Sequence, residues 1–276
     1  MKASRKTKKD TDTQQKEKTE DTGEPTDVKK GRQKRKNTDN NALKKVKVAL
    51  REGNLSDTKL GEAFYNVPCE DLAKNLLGKV LVRCLPNGQK LKGRIVETEC
   101  YPGGEDKASM TYNGRVTPKT KALYSKPGST FVYTTYGMYH CINICSQGEG
   151  SAVLLRAADP IEGLEYMNMQ RLQKRKSTKF QTFKENDLCN GPSKMCISFS
   201  IDKTCTEQDL TSWDGLWIET DEKSEEFNPE NIVVSTRIGI ESAGREWGLK
   251  PWRFYVYDGK SVSKRDVKQE EERAKT

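Results

Sequence analysis

The sequence predicts an α+β fold: a single mixed domain with an antiparallel sheet, a protruding β-hairpin and a disordered basic N-terminal tail. Three observations lead there. Strand-forming runs come as neighbours joined by tight turns at Lys79–Tyr101 and Thr130–Ser146, which is the pattern of antiparallel hairpins. Helical segments are interspersed with these hairpins instead of alternating with single strands, which argues against a doubly wound parallel sheet. Finally, composition becomes globular only from about Leu55, and the chain beyond that point is long enough for one sizeable core.

The elements run in order. Ala63, Phe64, Leu72, Ala73, Leu76 and Leu77 form an apolar pattern that reads as a helix over Leu60–Leu77, ended by Gly78. Lys79–Cys84 alternates as a strand, Leu85-Pro86-Asn87-Gly88 carries hairpin chemistry, and Leu91–Tyr101 is the return strand. Val132 to Tyr136 are strong strand formers; after Gly137, Tyr139–Cys145 returns. A third strand at Ala152–Ala157 is expected to end at a helix start, with Asp159 as cap, Pro160 at the first helical position and Glu162 completing a capping box; this helix should reach about Lys176. Asn190-Gly191-Pro192-Ser193 opens another helix, 201–230 reads as an acidic loop region, and Trp252–Tyr257 as a last strand. The domain division is then 1–55, the tail; 56–265, the folded domain; and 266–276, a charged C-terminal tail.

The chain of 276 residues has 49 Lys+Arg against 40 Asp+Glu, unevenly spread. Residues 1–60 carry 18 bases and 10 acids, whereas 201–230 carry 10 acids and 2 bases. Between residues 1 and 41 only Met1, Ala3 and Val28 are apolar, too few to bury a core. A basic tail and a basic remainder of the domain suit a polyanionic partner, nucleic acid before membrane; the plainer alternative is a solubilising tail. Gly31–Lys36 and Lys44–Lys47 are basic clusters spaced as a bipartite nuclear address. No apolar run approaches 18 residues, so no membrane partner is expected, and no secretory-type apolar stretch opens the chain. Eight cysteines without a Cys-x-x-Cys pair read as reduced, mostly buried thiols. With His140 the single histidine, a zinc site built on several histidines is excluded. Chemistry should rest on carboxylates, lysines, tyrosines or cysteines, and no cofactor is expected.

Three segments could carry it. On a strand, Ile95, Glu97, Glu99 and Tyr101 share a face; a carboxylate there is either a general base in a partly apolar pocket or part of an exposed charged face on an edge strand. Around the second hairpin, Tyr133, Tyr136, Met138 and Tyr139 gather bulky side chains where tips usually carry Asn, Asp and Gly. They are either an apolar wedge for a duplex groove or, for Tyr133 above all, ordinary core. Asn190–Lys194 offers free backbone N–H groups and a lysine for a phosphate, or is simply a helix start.

Taken in order, "LLGKVLVRCLPNGQKLKGRIVETECY", "KPGSTFVYTTYGMYHCINICSQGEG", "VLLRAADPIEGLE", "LCNGPSK" and "RFYV" resemble the alkyladenine (3-methyladenine) DNA glycosylase family from about Leu60 to Tyr257. The resemblance implies a monofunctional, metal-free hydrolase of base-excision repair. Such an enzyme flips alkylated purines, of the 3-methyladenine and 7-methylguanine type, out of double-stranded DNA and leaves an abasic site. It implies that Glu99 activates the water and Arg156 helps position it. Tyr101 and Tyr133 wall the base pocket, Asn143 obstructs the 2-amino group of guanine, and Tyr136 fills the gap left by the flipped base. Met138, Tyr139, Arg115, Thr117 and Lys194 are the expected DNA contacts. A nuclear and possible mitochondrial location and a monomer acting on duplex DNA go with this reading. One position departs: Met110 stands where the family usually has a histidine that stacks on and hydrogen-bonds the flipped base. Methionine keeps a polarisable contact but no donor, so neutral lesions such as ethenoadenine and hypoxanthine should suffer more than methylpurines. Two alternatives remain: a catalytically weakened lesion-binding protein of the same fold, and a basic chromatin or RNA-binding protein.

Overall fold

The computed structural model describes residues 59–175, 182–221 and 227–273. The expected 1–55 tail and its two basic clusters lie outside the described residues. The first apolar pattern forms two helices, α1 (Glu62–Tyr65) and α2 (Cys69–Asn75). Pro68 separates them, since a proline disfavours helical backbone in the residue before it. Gly78 then turns the chain at φ +79° into strand β1 (Val80–Cys84), and the Asn87-Gly88 turn returns it as β2 (Lys90–Tyr101). The second hairpin is β3 (Thr130–Thr135) and β4 (Tyr139–Cys145).

The chain then departs from expectation. Strand β5 runs from Ala152 to Glu162, straight through Asp159 and Pro160, and helix α3 (Leu164–Lys174) begins only after Gly163. The capping pattern is overridden because Gly93 and Arg94 of β2 offer pairing partners to Pro160 and Asp159. Asp159 still caps backbone, but at a distance: its carboxylate accepts the N–H groups of Lys260 and Ser261. Pro160 is tolerated because β4 pairs only with Ala152–Leu154 and leaves this end of β5 without a second strand. The expected helix end at Lys176 falls outside the described residues. Gly163 holds the strand-to-helix corner at φ +83°, and a Cβ there would sit 2.4 Å from Leu91 Cδ2. Gly163→Ala should therefore cost about 2–4 kcal/mol through left-handed strain and overpacking, read as a lower denaturant midpoint at unchanged slope.

Helices α4 (Glu185–Leu188) and α5 (Pro192–Ser198) come next, the latter with proline in its first turn as expected. The acidic segment is not all loop: β6 (Leu216–Glu219) pairs with β1. Leu216 and Ile218 are buried, and this two-residue alternation is masked by the surrounding charge. Strand β7 (Ile232–Ser235), short helix α6 (Arg245–Gly248), strand β8 (Arg253–Val256) and helix α7 (Val267–Arg273) complete the described chain. Helix α7 occupies most of the expected C-terminal tail, and Tyr255 Oη donates to Glu270 on it.

Every named strand pair is antiparallel, and the main order is β3-β4-β5-β2-β1-β6. Strand β2 changes partner along one edge: residues 90–94 pair with β1, and Glu97–Glu99 with β8. It is thus interior to the sheet, which removes the exposed edge-strand reading of Glu97 and Glu99. Leu72, Leu76, Leu81, Ile142, Leu155 and Phe199 are among the fully buried core side chains.

Candidate active site

Two register breaks in the β2–β5 ladder build the site. Ile95 pairs with Ala158 and Glu97 with Ala157, so Val96 is an extra residue on β2. Glu97 pairs with Ala157 and Thr98 with Leu155, so Arg156 is the extra residue on β5. A bulge re-aims side chains, and the alternation expected from Ile95 through Tyr101 is broken at Val96. Ile95 joins the main apolar cluster, while Glu97, Glu99 and Arg156 meet in the sheet interior.

Arg156 Nη1 lies 3.2 Å from Glu99 Oε1, and its Nε lies 3.3 Å from Glu97 Oε1. Glu97 Oε1 also accepts from Arg253 Nη1 at 2.9 Å. Two carboxylates and two guanidiniums therefore neutralise one another, all within side chains exposed by 10% or less. Burial works against the Arg156 charge, but Glu99 and Glu97 outweigh it and raise its pKa. Glu99 has two further donors: the Ile238 N–H at 2.8 Å to Oε1, and Tyr101 Oη at 2.9 Å to Oε2. Burial, and then the Glu99 charge, push the Tyr101 phenol well above its ordinary value. The phenol thus keeps its proton and donates a hydrogen bond to Glu99.

This cluster opens into a cavity of about 350 Å³, to which Tyr101, Met110, Tyr133 and Asn143 contribute beside Glu99 and Arg156. Tyr133 stacks on Phe131 with ring centroids 5.9 Å apart. Asn143 Nδ2 donates to the Phe131 carbonyl at 3.3 Å, which fixes its amide against the same wall. Met110 is 43% exposed, so it sits at the rim. At the mouth, Tyr136 is 88% exposed and held at φ +49°, a conformation that is a genuine outlier for a bulky residue. Such strain is kept where the turn demands it, and it collects at functional sites. Met138, also at the tip, is 60% exposed.

The other expected contacts do not line this cavity. Tyr139 and Lys194 line a neighbouring cleft with Arg171, Arg175 and Phe183, which Tyr136 also borders. Arg171 and Arg175 stack over Phe183 at 4.6 and 5.3 Å. Burial and the nearby Arg171 lower the Lys194 pKa, and its ammonium donates to Asn190. Arg115 is exposed on the loop before Lys121, while the Thr117 hydroxyl is engaged with Thr120. Sequence patterning assigns no role to Arg253, Ile238, Asp106 or Arg237; only Arg253 carries a signal, as the first residue of "RFYV". Among the described residues, no group of three or more His, Cys, Asp or Glu is arranged to hold a metal ion, and no helix is long and apolar enough to cross a membrane.

A model of the methylpurine-DNA glycosylase family matches residues 63–260, which contain both glutamates, both arginines and every cavity-lining tyrosine named above. The chain belongs to this family. Among family proteins, the DNA-3-methyladenine glycosylase of Mus musculus is 47% identical over 205 residues, 74% of this chain and 61% of that protein. That of Homo sapiens is 46% identical over 206 residues, 75% and 68% of the two chains. A putative 3-methyladenine DNA glycosylase of Clostridium tetani is 46% identical over 209 residues, covering 75% of this chain and 100% of that protein. The Clostridium tetani protein thus aligns over its full length, whereas the chain spans about three-fifths of the mouse protein's length.

Proposed function

We propose that this chain is a base-excision-repair DNA glycosylase that releases alkylated purines from duplex DNA by hydrolysis. The observation carrying this reading is a buried glutamate, Glu99, held by Arg156, Tyr101 and the Ile238 N–H at the floor of a tyrosine-walled cavity whose mouth bears an exposed aromatic hairpin tip. Flipping a nucleotide costs a few kcal/mol. Tyr136, entering the stack, offsets part of that cost, and Met138 and Tyr139 contact the duplex beside it. The purine sits between Tyr101 and Tyr133, whose electron-rich faces favour a cationic, alkylated ring, and Asn143 crowds out an exocyclic 2-amino group. Glu99 takes a proton from water as the water oxygen bonds to C1′ of the deoxyribose, and the C1′–N bond breaks with its electron pair going to the base. Arg156 orients the carboxylate and the water.

Arg115, Thr117 and Lys194 track phosphates, the protein acts as a monomer, and the basic tail directs it to the nucleus. The decisive experiment is free-base release from methylated duplex DNA. Tight binding without release would favour the lesion-binding alternative, and loss of all function on deleting residues 1–55 would favour a basic chromatin or RNA-binding protein. Met110→His restores a donor at the rim and should raise release of ethenoadenine relative to 3-methyladenine by about fivefold, the worth of one neutral hydrogen bond. An unchanged ratio in a competition assay would remove Met110 as the cause of any bias.

A further inference from the structure

Behind Tyr101 lies an ion pair whose own two side chains do not line the cavity. Arg237 donates from Nη1 and Nη2 to Asp106 Oδ2 and Oδ1 at 2.6 and 2.8 Å, and both side chains are fully buried. The guanidinium packs over the Tyr101 ring at 4.7 Å and over Trp252 at 4.9 Å. Arg237 does not line the cavity that Tyr101 walls, so it occupies the face of the ring turned away from the base site. Asp106 also accepts from Ser109 Oγ and the Ala108 N–H, beside Met110.

We propose that Asp106, by cancelling the Arg237 charge behind the ring, preserves the preference of Tyr101 for charged over neutral bases. This rests on the glycosylase reading above. A ring attracts cations on both faces through the same quadrupole. A bare guanidinium on the rear face would draw that density to itself and repel a cationic purine on the front. With stacking at about 3.5 Å, the guanidinium lies about 8 Å from the base, and a unit charge at that range in a medium of effective permittivity about 20 changes affinity roughly ten- to thirty-fold. Asp106 cancels this repulsion. The pair therefore leaves the tyrosine face free to favour 7-methylguanine, which carries a formal positive charge, over hypoxanthine, which carries none.

The test is the ratio of kcat/KM for base release from duplexes holding one 7-methylguanine or one hypoxanthine. Asp106→Asn leaves the cation uncompensated and should lower the ratio about tenfold. Arg237→Gln leaves the anion and should raise it. The double variant, Asp106→Asn with Arg237→Gln, should return it close to wild type. A merely structural brace would move both single variants the same way or leave the ratio fixed, and either result overturns the proposal. Should Asp106→Asn fail to fold, Arg237→Gln decides alone: a rise supports the proposal, and an equal or lower ratio overturns it. Wild-type protein that releases neither base would instead bring down the glycosylase reading, and the proposal with it.

Discussion

Replacing Glu99 with glutamine lowers free-base release from methylated duplex DNA by about 10²–10⁴-fold, the usual cost of losing a positioned general base. The substitution is nearly isosteric. Its amide oxygen can still accept from the Ile238 N–H, which Glu99 Oε1 engages at 2.8 Å, so the cavity keeps its shape and damaged duplex should bind about as tightly as to wild type. Release is measured in single turnover and binding by mobility shift. A variant that binds and does not cleave assigns proton abstraction to Glu99. Cleavage at a wild-type rate would move the base to another group, with Glu97 the nearest carboxylate in the same cluster.

Glu97→Ala produces the largest loss of stability. Its carboxylate is 1% exposed and is shared by Arg253 at 2.9 Å and Arg156 at 3.3 Å. Removing one partner of a buried pair costs about 3–5 kcal/mol, because it leaves charge uncompensated in a medium that cannot solvate it. For a domain of this size that lowers the unfolding midpoint by roughly 6–20 °C. The effect should also reach the chemistry: Arg156 loses one of its two anchors, so residual folded protein cleaves more slowly than its folded fraction predicts. Thermal unfolding with parallel activity at low temperature separates the two, and equal losses in both would mean that Glu97 only supports the fold.

Residue types and order make much of the cavity legible. Strand patterning and family resemblance point to Glu99, Tyr101, Tyr133, Asn143 and Arg156, and one cavity contains them all. Side-chain alternation cannot disclose the bulges at Val96 and Arg156, since a single inserted residue leaves no compositional trace yet decides which way each carboxylate points. Asp159-Pro160 carries a good local helix signal and is overruled by pairing with β2, a contact more than sixty residues away in sequence. Strand β6 hides inside an acidic stretch because only Leu216 and Ile218 face the core. Asp106 and Arg237 are invisible to pattern reading because their meaning depends on a ring packed behind the cavity, not on any motif around them.

The cysteines bear on survival in the surroundings where such an enzyme would work. Agents that alkylate purines are electrophiles, and thiolates react with them too. Here every cysteine but Cys84 is buried, and desolvation pushes the thiols of Cys145 and Cys189 up to about 12, which holds them in the unreactive protonated form. The fold thus withdraws Cys145 and Cys189 from attack, so a dose that alkylates purines in DNA would leave these two thiols intact.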